Sequence, residues 1–540
     1  MCGIVAILGS QCTNKRIFEA MLKAIVHRGP DEAGSHIEIQ GRAVLGIQRL
    51  SIIDQQHGHQ PVTDLENKVI AVGNGEIYNH KTIRRTADSE FDSGSDIEVI
   101  PYLYRQHGVR CLEYLDGMFG FVLYDGRQNT FLAARDRYGI KPLYFSFDSV
   151  DQTWTFASEL KCFVAAGIDV KGIRELPAGH YITNEGISRQ WYHLPSLSSH
   201  AQLTLPSPVE LRSLLEQSIS KHLQRDKNIR IGVFLSGGLD SSIITALAAR
   251  KVNNLIAFTI GVKGSPDLVA ARRVAAHLSV ELVECDFDPE ELIQHLNKTI
   301  EMTETYNTAL VFEGYLTSIL SKEARKRGVK VILSGEGADE IFGGYGLFHH
   351  LDESSFQARR SELLTNIGST ECKRLDRATM AYSVEARVPF LDQSIVAWAL
   401  AQPKQTFIQQ HLNGSVIDKL VLRQAVENLL PPEIVWRTKL AFDTGSGILQ
   451  CLDPIANLID EGKSRMLQQT YGELAIQDRI SAYLFTVFQS KFGLVGGRDC
   501  FFSMAGNYPL MQPFLHIDEY RCGGTGEINA ETTFERSTIV

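Results

Sequence analysis

The sequence predicts a multidomain α/β protein in which two antiparallel sheets with helices outside precede a parallel, doubly wound sheet. The first third of the chain alternates short runs of β-forming residues with turn residues, whereas the pattern beyond residue 209 repeats strand and then helix. A Ser/Pro-rich segment without periodicity, 195–208, separates the two patterns. We therefore expect a first domain at 1–194, a linker at 195–208 and a second domain at 209–520.

In the first domain, runs of β-forming residues bounded by turn residues predict the strands. They lie at 2–8, 43–53, 68–73, 119–124, 130–134, 142–147 and 154–157. Apolar residues at helical spacing predict helices at 17–26 and 96–107. Short turns between successive strands favour antiparallel pairing, so we expect two such sheets with the helices on their outer faces.

In the second domain, strands and helices alternate. The strands are expected at 229–235, 255–262, 281–287 and 329–333, with helices at 241–250, 268–278 and 290–300. This alternation predicts a parallel sheet whose ligand binds at the carboxyl ends of the strands, so the loops 236–242 and 334–340 are expected to share one site. From about residue 375 the pattern is mostly helical, and we expect the polar tail 521–540 to be disordered.

The composition indicates a globular protein without a broad nucleic-acid or membrane surface. The formal net charge is −9, which disfavours binding to polyanions. The nine cysteines are scattered, with no pair at metal-ligand spacing, and indicate a reducing compartment. No basic and apolar leader opens the chain, and no run reaches the roughly 20 apolar residues of a membrane span. We therefore expect a cytoplasmic protein whose partners are small molecules, with no nucleic acid and no membrane among them.

Cysteine is the second residue of the chain. After removal of Met1, Cys2 carries both a thiol and the free α-amine, so that nucleophile and base lie on one residue, as N-terminal nucleophiles require. Four segments follow it in order: HRGPD at 27–31, RLS at 49–51, NGEIYN at 74–79 and GSD at 94–96. With these segments the first domain resembles the glutamine amidotransferases with an N-terminal nucleophile, and the resemblance implies their αββα Ntn-hydrolase sandwich.

The resemblance also implies residue roles in the first domain. Cys2 would attack the glutamine amide, and the Asn74 side chain with the Gly75 N–H would form the oxyanion hole, where one donor typically contributes about 3 kcal/mol. Glutamine is a zwitterion, so its α-carboxylate favours a fork-shaped cation and its α-ammonium favours carboxylates. The residues that match this demand are Arg49, Glu76 and Asp96.

A glycine-rich segment, SGGLDSS at 236–242, follows an apolar strand in the second domain. It is not a Walker-type loop, because no GxxxxGK[ST] sequence occurs in the chain. Its glycines let successive backbone N–H groups approach an anion, with the following helix N-terminus pointed at that anion. The segment resembles the pyrophosphate loop of the ATP pyrophosphatase family, whose members adenylate an oxygen and release pyrophosphate.

Together with the first domain, further segments make residues 1–440 resemble the glutamine-hydrolysing asparagine synthetases. These segments are FTIG at 258–261, SPD at 265–267, SGEGADE at 334–340, VEARVPFLD at 384–392 and WRTK at 436–439. The resemblance implies a doubly wound ATP pyrophosphatase domain with a helical extension, ATP and Mg²⁺ as cofactors, and a homodimer by analogy.

The same resemblance implies residue roles in the second domain. Asp240 and Asp339 would coordinate Mg²⁺ on the pyrophosphate, Lys439 would neutralise phosphate charge, and Glu336 would serve intermediate formation or proton transfer. Leu235 and Ile260 would flank the adenine. The full ATP-binding set implied is Leu235, Ser236, Gly237, Gly238, Asp240, Ser241, Ile260, Ser334 and Gly335.

The expected acceptor site departs from the family pattern. Members that amidate aspartate usually carry Thr-Thr-x-Arg shortly after Glu-Thr-Tyr, with the arginine at the acceptor, but here Ala309, Leu310 and Phe312 replace the two threonines and the arginine. Residues 440–443, LAFD, also replace the common Glu-Gln-Phe-Ser. A buried carboxylate without its cation costs several kcal/mol, which favours a larger or more apolar acid. Alternatively, another arginine takes over the role.

The sequence is therefore interpreted as an ATP-dependent, glutamine-hydrolysing amidotransferase of the asparagine synthetase type. By default it converts L-aspartate to L-asparagine with release of AMP and pyrophosphate, and the main alternative is the same chemistry on a non-aspartate acid in specialised metabolism. Two related reactions are disfavoured. Ring closure by an internal amine needs no ammonia and would not require the glutaminase residues, and phosphoribosyl transfer would give the segment 236–242 no function. A non-catalytic sensor of ATP and glutamine is a further alternative, and it would form no AMP.

Overall fold

The N-terminal part of the chain forms two six-stranded sheets, β10-β8-β9-β1-β3-β2 and β12-β11-β7-β6-β5-β4. The computed structural model describes residues 2–9, 14–38, 41–64, 68–195, 207–411, 415–471 and 476–493. The strands of these sheets are β1 (Cys2–Gly9), β2 (Glu32–Ile37), β3 (Ala43–Arg49), β4 (Val62–Asp64), β5 (Val69–Ile77), β6 (Gly117–Asp125), β7 (Thr130–Arg135), β8 (Tyr144–Asp148), β9 (Thr153–Ala157), β10 (Arg174–Glu175), β11 (His180–Thr183) and β12 (Arg189–Gln190).

The two sheets stack, and β1 shows why its sequence is apolar at nearly every position. Ile4 and Ala6 pack into the cluster between the sheets, with partners such as Val72 on the opposite sheet. Val5 and Ile7 point the other way, into a cluster that contains residues of helices. A strand buried on both faces needs a continuous apolar run rather than alternation. The helix–sheet–sheet–helix order expected for this domain is confirmed.

The second domain is built on a parallel sheet in the order β15-β14-β13-β16-β17, beside a small antiparallel pair, β18-β19. Its strands are β13 (Arg230–Phe234), β14 (Ile256–Ile260), β15 (Glu281–Cys285), β16 (Val329–Leu333), β17 (Glu385–Arg387), β18 (Gln409–Gln410) and β19 (Val416–Ile417). The chain moves outward from β13 to β15 and then returns to place β16 on the other side of β13. This reversal is the switch point at which doubly wound sheets bind ligands.

Helices cover the outer faces of the first domain and both faces of the second. The first domain carries α1 (Lys15–Ala24), α2 (His80–Thr86), α3 (Val99–His107) and α4 (Lys161–Ala165). The second begins with α5 (Pro208–His222), α6 (Leu239–Ala249), α7 (Pro266–Leu278), α8 (Pro289–Thr303), α9 (Thr308–Lys326), α10 (Ala338–Phe342), α11 (Glu353–Asn366) and α12 (Glu371–Met380). It ends with α13 (Gln393–Leu400), α14 (Leu420–Val426), α15 (Pro432–Val435), α16 (Phe442–Ser446), α17 (Leu452–Ala456), α18 (Glu461–Tyr471) and α19 (Arg479–Phe492).

Buried ion pairs join the two domains. The Arg28 guanidinium donates to both oxygens of Asp376 at 2.8 and 3.0 Å, and it also contacts Glu159. Glu304 accepts from the backbone N–H groups of Leu160 and Lys161 at 3.0 and 2.9 Å. Paired charges of this kind fix one relative orientation of two surfaces, because either partner left alone would be a buried charge.

Most predicted elements are found, with differences that follow from local sequence. The strand expected at 68–73 runs on to Ile77, so the segment 74–76 is strand rather than turn. β2 was not predicted, because its alternation of small and polar residues gives no apolar signal. Most of the predicted linker and the whole of the predicted tail 521–540 lie outside the described residues. In the part of the chain that the structure describes, no helix combines the length and the apolar character that a membrane crossing needs.

Candidate active sites

Cys2 lies at the start of β1, directly opposite Arg49 of β3. Its N–H donates to Asn74 Oδ1 at 3.0 Å, and its carbonyl accepts from Arg28 Nε at 2.9 Å. The side chain is 5% exposed, and burial raises the pKa of the thiol. The resting side chain is therefore a protonated thiol that requires a nearby base before it can act as a nucleophile.

Asn74 and Gly75 of β5 present an amide and a glycine beside this cysteine. Asn74 is fully buried, and within the described residues its Nδ2 has no hydrogen-bond partner. Buried donors are normally paired, so an unpaired amide next to a nucleophile is available to a ligand oxygen. Gly75 has a φ of +146°, and a Cβ there would lie 1.9 Å from the Met118 carbonyl oxygen. Only glycine fits this position.

The predicted glutamine-binding residues are buried around the same strand ends. Arg49 donates through Nη1 to Glu32 at 2.9 Å, and through Nη2 to the carbonyls of Ile53 and Asp54 at 3.1 and 2.7 Å. Asp96 Oδ2 accepts from the Ile77 N–H at 2.7 Å. Burial raises the pKa of Asp96 to about 6. Largely ionised at neutral pH, and without an ion pair to a side chain in the described part of the chain, this carboxyl group suits an ammonium ligand.

Glu76 is paired with Arg387, a residue of the second domain within the motif 384–392. Its carboxylate lies 3.0 Å from Arg387 Nη2, and the Arg387 Nε donates to Glu385. Burial raises the pKa of Glu76 well above its usual range, and the Glu385 charge adds to that shift. The wall of the first site is therefore completed by strand β17 of the other domain. Only the motif 384–392 signalled these two residues, and nothing in the sequence pointed them at Cys2.

A cavity of about 420 Å³ lies at the carboxyl ends of β13 and β16, as predicted. The sequence-predicted residues that line it are Leu235, Ser236, Gly238, Asp240, Ser241, Ile260, Ser334, Gly335, Glu336, Asp339 and Lys439. Gly237 is the exception. Its φ is +74°, and a Cβ there would lie 2.4 Å from the Ala271 backbone nitrogen, so this glycine lets the loop approach helix α7. It serves the loop's close packing on that helix.

The two loops that form this cavity touch each other. A Cβ at Gly335 would lie 3.1 Å from both the Asp240 Cβ and the Ser241 nitrogen. Within the glycine-rich loop, the Ser241 hydroxyl donates to the Gly238 carbonyl at 3.2 Å and accepts from the Ser236 N–H at 3.2 Å. The loop is therefore shaped by its own serines, and the strand ends bring carboxylates a hundred residues apart into one cavity.

Two carboxylates and two lysines meet at the centre of the cavity. Lys419 Nζ lies 2.6 Å from both Asp240 Oδ2 and Asp339 Oδ1, and Lys439 Nζ contacts Asp339 Oδ2. Burial alone would raise the pKa of Asp339, but the Lys419 and Lys439 ammonium groups hold it well below its usual range. Asp240 Oδ1 is buried and has no hydrogen-bond partner in the described part of the chain. Two neighbouring carboxyl groups with an unused oxygen fit a hard cation such as Mg²⁺ that keeps phosphate oxygens as further ligands.

Lys419 was missed by the sequence analysis. It is 1% exposed and adopts φ +50° directly before helix α14. A buried lysine in the left-handed region is uncommon and indicates a side chain held for a purpose. The sequence does not predict the burial of Lys419, because most lysines that precede a helix are exposed to solvent.

The acceptor end of the cavity differs from the expectation based on residues 309–312. Ala309, Glu313 and Thr317 of α9 line the cavity, whereas Leu310 and Phe312 are buried in the apolar core at 1% and 0% exposure. The expectation that Leu310 and Phe312 shape an apolar acceptor site is therefore wrong. The helix turns both side chains into the core, where their apolar surface is removed from water.

A cation is nevertheless present at this end of the cavity. Arg374 of α12 donates to Glu336 at 2.6 Å, to Glu371 at 2.8 Å and to the Thr317 hydroxyl at 3.0 Å, and it lies 3.0 Å from Glu313. Burial raises the pKa of Glu336 even beside this arginine. Arg374 is therefore an arginine that could take the place of the missing one, and in this structure it is paired with Glu313, Glu336 and Glu371.

Comparison with known proteins matches two families to successive parts of the chain. The glutamine amidotransferase domain family matches residues 1–192, and the asparagine synthase family matches residues 210–366 and 353–477. The first domain is thus of the glutamine amidotransferase class, joined in one chain to a synthase domain.

Relatives that match over most of the chain narrow the class further. "Asparagine synthetase [glutamine-hydrolyzing]" of Zea mays is 38% identical over 496 residues, which cover 88% of this chain and 81% of that protein. "Asparagine synthetase [glutamine-hydrolyzing] 3" of Arabidopsis thaliana is 39% identical over 470 residues, which cover 83% and 79%. The chain belongs to the glutamine-hydrolysing asparagine synthetase family.

Proposed function

We propose that this protein synthesises L-asparagine from L-aspartate, glutamine and ATP, with release of glutamate, AMP and pyrophosphate. The observation that carries the proposal is the convergence of Asp240, Asp339, Lys439 and Glu336 in one cavity at the switch point of the parallel sheet. The relatives named above support aspartate as the acceptor and do not favour the alternative of a different acid.

The proposed first half-reaction takes place at Cys2. The free α-amine formed by removal of Met1 takes the thiol proton, the thiolate attacks the glutamine amide, and the resulting α-ammonium returns that proton to the leaving nitrogen, which gives a thioester and ammonia. Water then hydrolyses the thioester, which releases glutamate and restores the thiol. The unpaired Asn74 Nδ2 and the Gly75 N–H stabilise the tetrahedral oxyanion. Arg49 binds the α-carboxylate of glutamine, and Glu76 with Asp96 binds its α-ammonium group.

The proposed second half-reaction takes place in the cavity of the parallel sheet. The loop 236–242 and Lys439 bind the phosphates of ATP, while Leu235 and Ile260 flank the adenine. Asp240 and Asp339 would hold Mg²⁺, which would neutralise pyrophosphate charge when bound. The aspartate β-carboxylate attacks the α-phosphate and expels pyrophosphate, and ammonia then displaces AMP. Glu336 lies at the reacting end and accepts a proton from the attacking ammonia.

Ammonia must reach the second site as neutral NH₃, since protonation in bulk water would remove its nucleophilic electron pair. We propose that it passes between the two domains in a path closed to solvent. The homodimer, the cytoplasmic location and the absence of nucleic-acid and membrane partners stay predictions of the sequence.

The overall reaction is tested by release of pyrophosphate from ATP with Mg²⁺ and glutamine present. We expect release with L-aspartate, together with equimolar asparagine and AMP, and background rates with a panel of other amino and organic acids. Background pyrophosphate release with aspartate, together with release above background with another acid, would overturn the proposed acceptor. Binding of glutamine and ATP without any AMP formation would indicate the non-catalytic sensor instead.

Arg374 is proposed to bind the acceptor, and its replacement gives a specific prediction. The Arg374→Met variant is expected to raise the KM for aspartate by about 30-fold or more, because a charge-assisted pair contributes about 2–3 kcal/mol in a buried site. The KM for ATP and the glutaminase rate are expected to stay close to those of the parent protein. Steady-state kinetics with each substrate varied in turn gives the measurement.

Two matched variants control this experiment. Arg374→Lys keeps the charge and is expected to lose less affinity for aspartate than Arg374→Met. Phe312→Leu changes the position that carries the arginine in the family pattern, and since Phe312 lies in the core it is expected to cost about 1 kcal/mol of stability without raising the KM for aspartate. An unchanged aspartate KM in Arg374→Met, or a raised one in Phe312→Leu, would contradict the assignment.

A further inference from the structure

A second polar cleft, of about 500 Å³, lies at the junction of the two domains and is distinct in its lining from both active sites. We call it the junction cleft. The first domain contributes Asp54, His80 and Lys81 to its walls, and the second contributes Arg225 and Asp226. None of the residues assigned above to glutamine, ATP or the acceptor lines it. Its volume is in the range of small-molecule sites.

Two side chains that line the cleft, His80 and Arg225, keep nitrogen atoms for which the described residues provide no acceptor. His80 is 3% exposed, and neither of its ring nitrogens has a hydrogen-bond partner within the described residues. Arg225 uses Nε and Nη1 on the backbone carbonyls of Ile229 and Leu223, so its Nη2 is left for another acceptor. Lys81 is exposed at the edge of the cleft. A buried polar ring that is paired with nothing is rare and indicates a missing partner.

The carboxylates of the cleft are already occupied by backbone N–H groups. Asp226 accepts from the backbone nitrogens of Asp54 and Gln55 at 3.1 and 2.9 Å. Asp54 accepts from the backbone nitrogens of His57 and Gly94 at 3.1 and 2.6 Å. The groups that remain for a ligand are the Lys81 and Arg225 cations and the imidazole of His80, which is neutral near pH 7 because burial and the Arg84 and Lys81 charges lower its pKa to about 4. This balance favours an anion and disfavours a metal ion or an amine.

Asp54 and Asp226, which line the cleft, also position residues of the proposed glutamine site. The Asp54 carbonyl accepts from Arg49 at 2.7 Å, and the Asp54 carboxylate holds Gly94, two residues before Asp96. Asp226 of the second domain in turn fixes the backbone of Asp54. A ligand that shifts the short segment 54–55 therefore moves two residues proposed to bind glutamine.

We propose that the junction cleft binds a small metabolite carrying a carboxylate or phosphate group, and that its occupancy changes the affinity of the first domain for glutamine through Asp54. His80, Lys81 and Arg225 bind the anionic group. The regulatory part rests on the proposed function of Cys2 and Arg49, whereas the binding part does not. Because both domains contribute walls to the cleft, the shape of the cleft depends on the relative position of the two domains.

The test uses the full chain and two probes that separate the sources of the anion, inorganic phosphate and succinate. Binding is measured by titration calorimetry with a non-hydrolysable ATP analogue and aspartate present, so that the synthetase cavity is filled. We expect saturable binding of at least one probe and a loss of affinity of at least about tenfold in His80→Leu/Lys81→Ala. Lys81→Ala alone, at an exposed position, is expected to weaken binding several-fold without affecting folding. Lys15→Ala, which removes an exposed cation that lies 3.7 Å from Glu19, is the matched control and is expected to bind like the parent.

Two further measurements decide between the outcomes. Saturable binding should persist after Cys2 is blocked by a covalent glutamine analogue, with an affinity changed by the reciprocal coupling of the two sites. Complete loss of binding there would overturn the separate site by placing the anion in the glutamine pocket. The KM for glutamine in the glutaminase assay should change when the cleft is saturated, and binding without such a change would overturn the regulatory part. No saturable binding, or equal binding by the parent and the double variant, would overturn the site itself.

Discussion

Replacing Cys2 with alanine is expected to lower the glutamine-dependent rate by at least about a thousandfold, because the change removes the only atom proposed to attack the amide. Ammonia-dependent asparagine synthesis should remain close to that of the parent protein, since the parallel-sheet cavity is untouched. Glutamate release and asparagine formation, each measured with glutamine and with ammonium as nitrogen donor, give the result.

Cys111→Ala is the matched control for this experiment. Cys111 is also buried in the first domain, and burial raises the pKa of its thiol to about 12, so it stays protonated and takes no part in attack. This variant is expected to retain glutamine-dependent synthesis. Glutaminase activity surviving in Cys2→Ala, or loss of the ammonia-dependent reaction there, would contradict the assignment of separate sites.

Replacing Asp339 with asparagine is expected to give the reverse pattern. The change removes a negative charge that lies against two lysines and is proposed to hold Mg²⁺, so the cavity gains net positive charge and loses a metal ligand. Pyrophosphate release should fall by at least about a hundredfold with either nitrogen donor. Glutaminase activity at Cys2 should persist, and assays of the two half-reactions in one preparation measure both effects.

The neighbouring Glu340 provides a close control. Its carboxyl group accepts from the Tyr345 hydroxyl at 2.6 Å, and burial raises its pKa to about 8, with the Asp339 charge adding to the shift. The group is therefore mostly protonated at pH 7, and glutamine is nearly an isostere of that neutral acid. Glu340→Gln should keep most of the pyrophosphate-releasing activity. Equal losses in Asp339→Asn and Glu340→Gln would indicate damage to helix α10 rather than a role of the Asp339 charge.

The sequence predicted the fold well where one residue pattern has one structural meaning. Runs that are apolar at most positions, such as 329–333 with its single Lys330, became largely buried parallel strands, and the glycine-rich segment 236–242 lies at the strand ends. The pattern failed for β2, where the alternation of small and polar side chains does not distinguish a strand from a loop. It also stopped β5 too early, because Asn74 and Gly75 are typical of turns and only their pairing with β6 shows the strand.

The candidate sites were predicted as far as local motifs reach. Segments that carry their own glycines and carboxylates lie at the two candidate sites, whereas Lys419, Arg374 and Arg387 contact residues far away in the chain. Phe312 is the converse case, a residue at a motif position that does not contact the cavity. A substitution at a motif position was interpreted as a change of substrate contact, but helix α9 directs that side chain into the core. Which face of a helix meets a ligand depends on packing that a single sequence does not record.

The contact between Arg387 and Glu76 limits how this chain can be divided or recombined. A glutaminase fragment that ends before the second domain would lose Arg387, the partner of Glu76, together with strand β17, which completes the wall of the glutamine site. A chimera that takes its two halves from different relatives must therefore carry matched residues at positions 76, 385 and 387. The boundary between the domains in the sequence therefore does not separate the two active sites, because the glutamine site contains residues of both domains.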